Sequence, residues 1–353
     1  MIESIKFPAL SGCDPEGIFR LLSPIERFRA KQIFKWIARG ATDFDRMTDL
    51  SASLRAELKT RFRVRSSTVT ALLESEDGTK KLQIALEDGA KIEAVLLVDG
   101  DNRKTACLSS QAGCPMRCAF CKTGTLGFLR NLTPGEIVDQ FLHLQDAAGP
   151  LSNVVVMGMG EPLLNLDSLS QALTILSHPD GLFLSKRRFT ISTSGIIAGI
   201  RKLADEGPVV RLAVSLTTAD QRLRERLMPV TKTDPLPALK VALAYLQEKR
   251  EKRITLEAVL LGGINTRVED ADAMADFAQG LDVIVNLIPW NPVEDLGMDG
   301  IDFKEPSESE VQHFERMLIE RRLLTTRRFK KGRGVAGACG QLGSTLTDDD
   351  DMI

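Results

Sequence analysis

Beyond about residue 105 the chain alternates between short apolar segments rich in β-branched residues and longer segments with helical spacing. The strand-like segments cover residues 105–110, 153–158, 189–193, 210–216, 254–261 and 283–288. Helical patterns occur at 133–147, 166–177, 196–206, 236–248, 269–279 and 307–322. Because strands joined by helices pair in parallel, this order predicts an α/β domain of six βα units over residues 105–330. The remaining residues are too few to add the two further units of a closed eight-fold barrel. We therefore predict a partial (β/α)6 barrel with its ligand site at the carboxyl ends of the strands.

Two smaller regions precede this barrel and one follows it. Residues 1–60 contain two helical patterns and predict a small helical domain. Residues 61–104 hold three strand-like runs separated by Asp-Gly pairs, which predict a short antiparallel β extension. Residues 331–353 are rich in glycine and predict a flexible segment that carries Cys339.

Composition limits the class of protein. Of the 353 residues, 43% are hydrophobic and 27% are charged, as in globular proteins that are soluble in water. No run of about twenty apolar residues and no secretory pattern is present, so we expect no membrane span and a cytoplasmic location. Six cysteines in a chain of this length do not form a disulfide framework, and we expect free thiols that serve metal binding or catalysis.

The basic residues are unevenly distributed. The formal net charge is −2, yet residues 321–334 contain seven basic residues and no acidic one. A stretch of this kind favours contact with RNA phosphates. We expect the shorter clusters at 186–188 and 249–253 to be solvated surface.

Three cysteines follow the first predicted barrel strand in the order Cys114-x3-Cys118-x2-Cys121. Iron–sulfur clusters usually have four cysteine ligands, so three thiolates on one loop predict a [4Fe–4S] cluster with one iron open to an outside ligand. The amino and carboxylate groups of S-adenosylmethionine can chelate that iron, and the protein then orients a radical reaction of the cofactor. Zinc and inert core cysteines are the alternatives, but zinc requires a fourth ligand.

A glycine-rich turn follows the second predicted barrel strand. Gly160 would let a ligand approach the backbone, and Glu161 could accept a hydrogen bond from the ligand's amino group. Taken alone, this pattern is a weak signal of a ligand site.

These residues resemble the radical S-adenosylmethionine (radical SAM) superfamily, and further motifs resemble those of the RlmN/Cfr group of RNA adenine methyltransferases. The motifs read RAKQIFKWI at 29–37, FDRMTDL at 44–50, CLSSQAGC at 107–114, GFLRNL at 127–132, MGMGEPLLN at 157–165, IPWN at 288–291 and ACGQL at 338–342. The resemblance extends from about residue 20 to 342 and implies that residues 1–60 form a domain of an RNA-binding type.

The resemblance implies a set of residues that bind S-adenosylmethionine at the ends of the barrel strands. They are Gly160, Glu161, Ser192, Ser215, Leu216, Thr217 and Asn291. The family usually has histidine where Thr217 stands, so contact through the Thr217 backbone is expected instead.

Three further residues receive catalytic roles from the resemblance. Cys339 is methylated by one S-adenosylmethionine, and a second generates the radical that activates this methyl group, so two are consumed per turnover. Cys107 then releases the product through a transient disulfide with Cys339. Glu93 aligns with the family's proton acceptor, although it alternates with apolar neighbours like an exposed strand residue.

The resemblance implies methylation of C2 of an adenine in the peptidyl-transferase centre of 23S rRNA, and leaves tRNA open as a further substrate. Methylation at C8 is an alternative within the same group. A non-enzymatic iron–sulfur or zinc RNA-binding module is an alternative of another class. We further expect an electron donor such as flavodoxin or ferredoxin, and a monomer.

Overall fold

The fold is that of a computed structural model, which describes residues 7–328 and 331–344. Within those ranges no helix has both the length and the apolar character needed to cross a membrane.

Three helices form the N-terminal region, namely α1 (Pro15–Leu22), α2 (Arg27–Ala38) and α3 (Ala52–Arg61). The last of these, α3, begins directly after Ser51. Ser51 caps it, because the Ser51 hydroxyl accepts a hydrogen bond from the Leu54 N–H at 3.2 Å. Buried side chains of α2, among them Ile33 and Phe34, join the same hydrophobic core as the barrel.

An antiparallel meander follows, made of β1 (Ser67–Glu74), β2 (Lys80–Leu86) and β3 (Lys91–Val98). Gly78 and Gly89 occupy its turns with φ of 78° and 89°, as the Asp-Gly pairs predicted. β3 also pairs antiparallel with the first barrel strand, β4 (Lys104–Cys107), so that Val95 lies opposite Cys107. The β extension is therefore continuous with the barrel sheet.

The rest of the described chain alternates strands and helices, as predicted. The strands are β5 (Gln111–Gly113), β6 (Phe128–Asn131), β7 (Asn153–Val156), β8 (Phe189–Thr193), β9 (Arg211–Ser215), β10 (Ile254–Leu260), β11 (Val283–Pro289), β12 (Gly297–Met298), β13 (Ile301–Asp302) and β14 (Thr325–Arg327). The helices are α4 (Lys122–Thr125), α5 (Pro134–Ala148), α6 (Leu166–Ser177), α7 (Ile197–Asp205), α8 (Gln221–Leu227), α9 (Leu236–Arg250), α10 (Val268–Ala278) and α11 (Glu308–Glu320).

Ten strands of the described residues form one sheet in the order β1-β2-β3-β4-β7-β8-β9-β10-β11-β14. The six predicted barrel strands, β4 and β7 to β11, pair in parallel in chain order, which confirms the predicted fold class. β14 adds a seventh parallel strand beside β11 and lies within the basic stretch 321–334. Because parallel strands end together, the loops after them meet at one end of the barrel.

The half-buried His143 ties α5 to β1. Its Nδ1 lies 2.9 Å from an Arg65 guanidinium nitrogen and its Nε2 lies 3.1 Å from the Ser67 hydroxyl. Burial, with the Arg65 charge as a second cause, lowers the pKa of His143 to about 4.

This shift predicts an acid-sensitive stability. Between the unfolded pKa of 6.5 and the folded value of about 4, the unfolded chain binds a proton at this imidazole that the folded chain does not. Stability should therefore fall with decreasing pH across that window, by up to about 1.4 kcal/mol per pH unit. Urea unfolding of the cluster-free protein measures this slope. His143→Gln should flatten it, and His313→Gln on the exposed face of α11 is the control; an unchanged slope in His143→Gln would contradict the prediction.

Candidate active site

Two cavities occupy the interior of the barrel. The upper cavity lies at the carboxyl ends of the strands, and its wall includes Cys114, Cys118, Cys121, Gly160, Glu161, Ser192, Ser215 and Asn291. The lower cavity extends toward the amino ends, and its wall includes Cys107, Asn153, Thr190, Arg211 and Asn286. Met157, Ile288, Asn291, Arg328 and Cys339 belong to both walls, so the two cavities meet at these residues.

The loop with the three cysteines is fixed by backbone hydrogen bonds. The Cys114 N–H donates to the Gly127 carbonyl at 2.6 Å, and the Ala119 N–H donates to the Leu227 carbonyl at 2.9 Å. A buried cluster lies beneath the loop, where the Trp290 indole donates to the Phe120 carbonyl at 3.0 Å. This packing directs the three thiols to one wall of the upper cavity.

The donor set of this loop fits an iron–sulfur cluster. Burial raises the pKa of Cys114 to about 12 and raises the pKa of Cys118 and Cys121 as well, so a positive metal centre is needed to hold these sulfurs as thiolates. Among the described residues, no three His, Cys, Asp or Glu side chains converge as a single metal ion requires. Three thiols spread along one wall suit the separate corners of a cluster better than mononuclear zinc.

The glycine turn after β7 packs against the loop after β4. A Cβ at Gly160, whose φ is 103°, would lie 2.6 Å from the Gln111 side chain, and a Cβ at Gly158 would lie 2.7 Å from the Ser109 hydroxyl. These glycines are therefore required by packing within the protein. Gly160 also lines the upper cavity, and its approach by a ligand stays a prediction.

Glu161 is buried at the end of β7. Its carboxylate accepts hydrogen bonds from the Thr193 hydroxyl at 2.7 Å, the Ser194 N–H at 2.7 Å and the Ser194 hydroxyl at 2.8 Å. Burial raises the pKa of this carboxyl. Glu161 thus fixes the end of β8 as well as lining the upper cavity.

Ser192 and Ser215 lie on neighbouring strands with hydroxyls 3.5 Å apart. The Ser192 hydroxyl donates to the Glu257 carboxylate at 3.0 Å. Glu257, on β10, also lines the upper cavity and is 5% exposed. Sequence analysis missed Glu257; the available signal was one carboxylate in the apolar run of β10.

Leu216 and Thr217 lie behind the upper cavity. Both are buried, and neither is on the described part of the cavity wall. Thr217 has a φ of 60°, a strained value for a β-branched residue, and its hydroxyl has no hydrogen-bond partner in the structure. Its backbone is held from both sides, by the Glu257 carbonyl at 2.9 Å and the Asn265 amide at 2.9 Å.

The C-terminal segment 331–344 presents Cys339 where the cavities meet. The Asn291 amide donates to the Cys339 carbonyl at 3.1 Å, and the Lys122 N–H donates to the Gly340 carbonyl at 2.8 Å. The Arg333 guanidinium in turn donates to the Asn291 side-chain oxygen at 2.8 Å. The segment predicted to be flexible is therefore packed in this structure, and its motion stays a prediction; residues 345–353 lie outside the described ranges.

Cys107 is buried at the end of β4 and shares the wall of the lower cavity with Cys339. Burial raises its pKa to about 12, with the nearby Cys339 as the next cause. Both cysteines are free thiols. The structure thus brings together the two cysteines that the resemblance pairs, while their transient disulfide stays a prediction.

Glu93 is fully buried, so its predicted exposure was wrong. Its carboxylate lies 2.9 Å from the buried Lys81 ammonium and accepts a hydrogen bond from the Gly343 N–H at 2.7 Å. Alternation along β3 could not reveal this, because the segment that covers Glu93 comes from the other end of the chain.

The basic stretch 321–334 is not an exposed stripe. Arg321 pairs with Asp272 at 2.6 Å, Arg327 with Glu308 at 2.7 Å and Arg333 with Glu305 at 2.9 Å. Arg328 lines both cavities, 3.5 Å from the Met157 sulfur and 3.8 Å from the Glu257 carboxylate. Acidic residues distant in sequence thus pair with several of its charges. The expectation that this stretch contacts RNA stays a prediction; Lys330 lies outside the described residues.

Comparison with known proteins agrees with this geometry. Residues 108–278 match the model of the radical SAM superfamily, and residues 21–64 match that of the ribosomal RNA large subunit methyltransferase N-terminal domain. A "Probable dual-specificity RNA methyltransferase RlmN" of Treponema pallidum (strain Nichols) is 55% identical over 96% of this chain and 98% of its own length.

Two further similarities extend the comparison. The "Dual-specificity RNA methyltransferase RlmN" of Syntrophotalea carbinolica is 43% identical over 91% of this chain and 85% of its own. The crystal structure of a radical SAM methyltransferase from Sphaerobacter thermophilus superposes with a TM-score of 0.90 at 37% identity, over 96% of this chain and 99% of that one. The superfamily implies a [4Fe–4S] cluster and S-adenosylmethionine. The chain therefore belongs to the RlmN family of radical SAM RNA methyltransferases.

Proposed function

We propose that this enzyme methylates C2 of an adenine in the peptidyl-transferase centre of 23S rRNA, and the same carbon in tRNA, through a methyl group carried by Cys339. One observation carries the proposal. Cys339 lies on the walls of both cavities, with the three cluster cysteines around the upper one and Cys107 on the lower one. A thiol in this position can meet a cofactor on one side and an RNA base on the other.

Residues of this chain provide the binding groups for the cluster and for S-adenosylmethionine. Cys114, Cys118 and Cys121 hold the cluster, while Glu161, Ser192, Ser215 and Asn291 line the space for S-adenosylmethionine. When bound, the cluster and S-adenosylmethionine supply the methyl group and the radical that activates it, which requires two S-adenosylmethionine molecules per turnover and one-electron reduction by a donor such as flavodoxin or ferredoxin. Asn291 and Arg333 orient the Cys339 backbone. The Cys107 thiolate would then attack the Cys339 sulfur. The S–S bond would form as the bond from this sulfur to the methylene carbon breaks, and the carbon would keep the electron pair, take up a proton and leave as the methyl group of the base.

Glu93 has two roles in this proposal. It accepts the proton that leaves C2, and in the resting enzyme it anchors the C-terminal segment through the Gly343 N–H. The ammonium group of Lys81, which is 0% exposed, pairs with the Glu93 carboxylate in this buried site. The carboxylate can reach the base only after the Gly343 contact opens, so proton transfer is coupled to a shift of the segment that carries Cys339.

The first prediction concerns the methyl group itself. Holoenzyme expressed with its cluster should carry one additional methyl on Cys339, and Cys118→Ala should abolish both this methyl and the cluster's visible absorbance. Intact-protein and peptide mass spectrometry measure the methyl. Cys13→Ala is the control, because Cys13 lies outside both cavity walls among the described residues. An unmethylated Cys339 in protein with an intact cluster would favour a binding module and exclude the proposal.

The site of methylation is tested on RNA. Ribosomal RNA and tRNA treated with the holoenzyme should contain 2-methyladenosine on nucleoside analysis by mass spectrometry. Detection of 8-methyladenosine alone would instead assign the C8 reaction.

Cys107→Ala should separate methyl transfer to the protein from product release. The methyl group on Cys339 should still form, because Cys107 is not among the described residues that line the upper cavity. Turnover should fall by more than about 100-fold, and RNA should remain covalently attached to the protein under denaturing electrophoresis. Cys13→Ala is again the control; free methylated RNA at the wild-type rate from Cys107→Ala would remove Cys107 from the mechanism.

Lys81→Met should loosen the C-terminal segment. Removal of the ammonium leaves the Glu93 carboxylate buried beside an apolar group, which typically costs about 3–5 kcal/mol. Urea unfolding should show that decrease in stability, and hydrogen exchange should accelerate within residues 331–344. Lys80→Met is the matched control, because Lys80 pairs with the half-exposed Glu74 and such pairs contribute about 0–1 kcal/mol. The double variant Lys81→Met/Glu93→Leu should regain stability toward urea but remain inactive. Hydrogen exchange within residues 331–344 of Lys81→Met at the wild-type rate would contradict the anchoring role.

A further inference from the structure

The lower cavity adjoins a surface recess at the amino ends of the barrel strands. Its wall includes Arg211, the first residue of β9, together with Thr190 and Asn153 from the amino-terminal halves of β8 and β7. The same three residues line the surface recess, which we call the basal mouth. The cavity that holds Cys107 and Cys339 and the basal mouth therefore share part of their walls, on the side opposite the cluster loop.

The basal mouth is strongly basic. Its wall includes Arg103, Lys104, Arg187, Arg188 and Arg211, and no acidic residue belongs to the wall within the described ranges. Four of these five side chains belong to exposed residues, Lys104 being half-buried. Arg187 and Arg188 come from the cluster 186–188, which the sequence analysis expected to be ordinary solvated surface.

The cations of the mouth differ in how they are paired. Arg103 pairs with Asp99 at 2.5 Å, and Lys104 donates to the Ala148 carbonyl at 2.5 Å. Arg187 and Arg211 make no ion pair or side-chain hydrogen bond with any residue in 7–328 or 331–344. In the stretch 321–334, Arg321, Arg327 and Arg333 pair with acids of the protein. In the mouth, by contrast, the charges of Arg187 and Arg211 are available for an anionic partner.

The distance from the mouth to the thiols fits a base. β4 rises from Lys104 at the mouth to Cys107, a span of about 10 Å at ~3.3 Å per residue. A nucleotide whose phosphates stay at the surface can insert its base over such a span once it is flipped out of its stack.

We propose that the basal mouth is the entrance for the RNA substrate: its arginines bind the phosphates beside the target nucleotide, and the flipped adenine enters the lower cavity to meet Cys107 and Cys339. This rests on the proposed function. Arginine suits the role because its planar guanidinium binds phosphate oxygens in pairs. S-adenosylmethionine then occupies the upper cavity while RNA occupies the lower one.

The test removes three charges from the mouth in Arg187→Ala/Arg188→Ala/Arg211→Ala. The probe is a fluorescently labelled transcript of the peptidyl-transferase loop of 23S rRNA, and the protein is the anaerobic holoenzyme. We expect Kd to rise at least about tenfold at physiological salt. The slope of log K against log salt should decrease by about 0.7–0.9 for each phosphate that the variant no longer neutralises. Methylation of Cys339, which needs no RNA, should stay at the wild-type level.

The matched control, Arg222→Ala/Lys232→Ala/Lys304→Ala, removes the same charge from exposed residues that follow the carboxyl ends of the strands. It should bind RNA within about twofold of wild type. Arg187→Lys/Arg188→Lys/Arg211→Lys should retain most of the affinity and the full salt slope, since the charges remain.

The outcomes separate this inference from the proposed function. Unchanged Kd in the alanine variant of the mouth, or an equal or larger rise of Kd in the control, would overturn entry through the mouth while leaving the chemistry intact. Wild-type holoenzyme that neither methylates Cys339 nor modifies RNA would instead contradict the proposed function. Absence of Cys339 methylation in the mouth variant would also overturn the inference, because it would show a defect in the upper cavity.

Discussion

The return of the C-terminal segment onto the first strands of the sheet is the contact on which the rest of the site depends. The Gly343 N–H reaches the Glu93 carboxylate, and the Gly340 carbonyl accepts from the Lys122 N–H directly after the last cluster cysteine. These bonds join parts of the chain more than 200 residues apart in sequence. They hold Cys339 between the cluster loop and Cys107, a position that neither the barrel nor the glycine-rich segment could define alone. The same cover removes the Lys81–Glu93 pair from water, so the attraction between the two charges and the Gly343 hydrogen bond must offset their lost hydration.

Much of the fold could be predicted from the sequence because its strands are apolar and its helices amphipathic. Strand β8 and helix α6 have the predicted bounds, since each is limited by clear polar or helix-breaking neighbours. β14 could not be predicted in this way. Its three residues, Thr325–Arg327, are polar and stand within a basic stretch, and they form a strand only because the exposed edge of β11 offers them backbone partners.

The residues of the candidate site likewise fall into those that local sequence predicts and those that only tertiary contacts define. The cysteine spacing and the glycine turn are local patterns, and the convergence of parallel strand ends brings them to one cavity whatever the details of packing. Glu93, Glu257 and Arg328 could not be assigned from local pattern, because a charged residue in a strand is exposed or buried according to what covers it. Arg327 and Arg328 lie beside acids on other elements, so a run of positive charge in sequence does not by itself predict an exposed positive surface. The arginines of the basal mouth show the converse, because they come from separate segments and form a basic surface only in the fold.

The position of Cys339 also bears on the order of events. If the thiol faced one cavity, the cofactor and the RNA base would compete for the same space, and methylation of the thiol would have to finish before RNA could bind. Cys339 instead belongs to the walls of two cavities that meet at it. In the proposed reaction, with S-adenosylmethionine above and the base below, a second cofactor molecule would bind while the RNA remains in place. The radical chemistry would then take place close to its target, and the buried walls, with Cys107 6% exposed, would limit access of water. Two cavities that meet at one thiol are thus what a carrier with two partners requires.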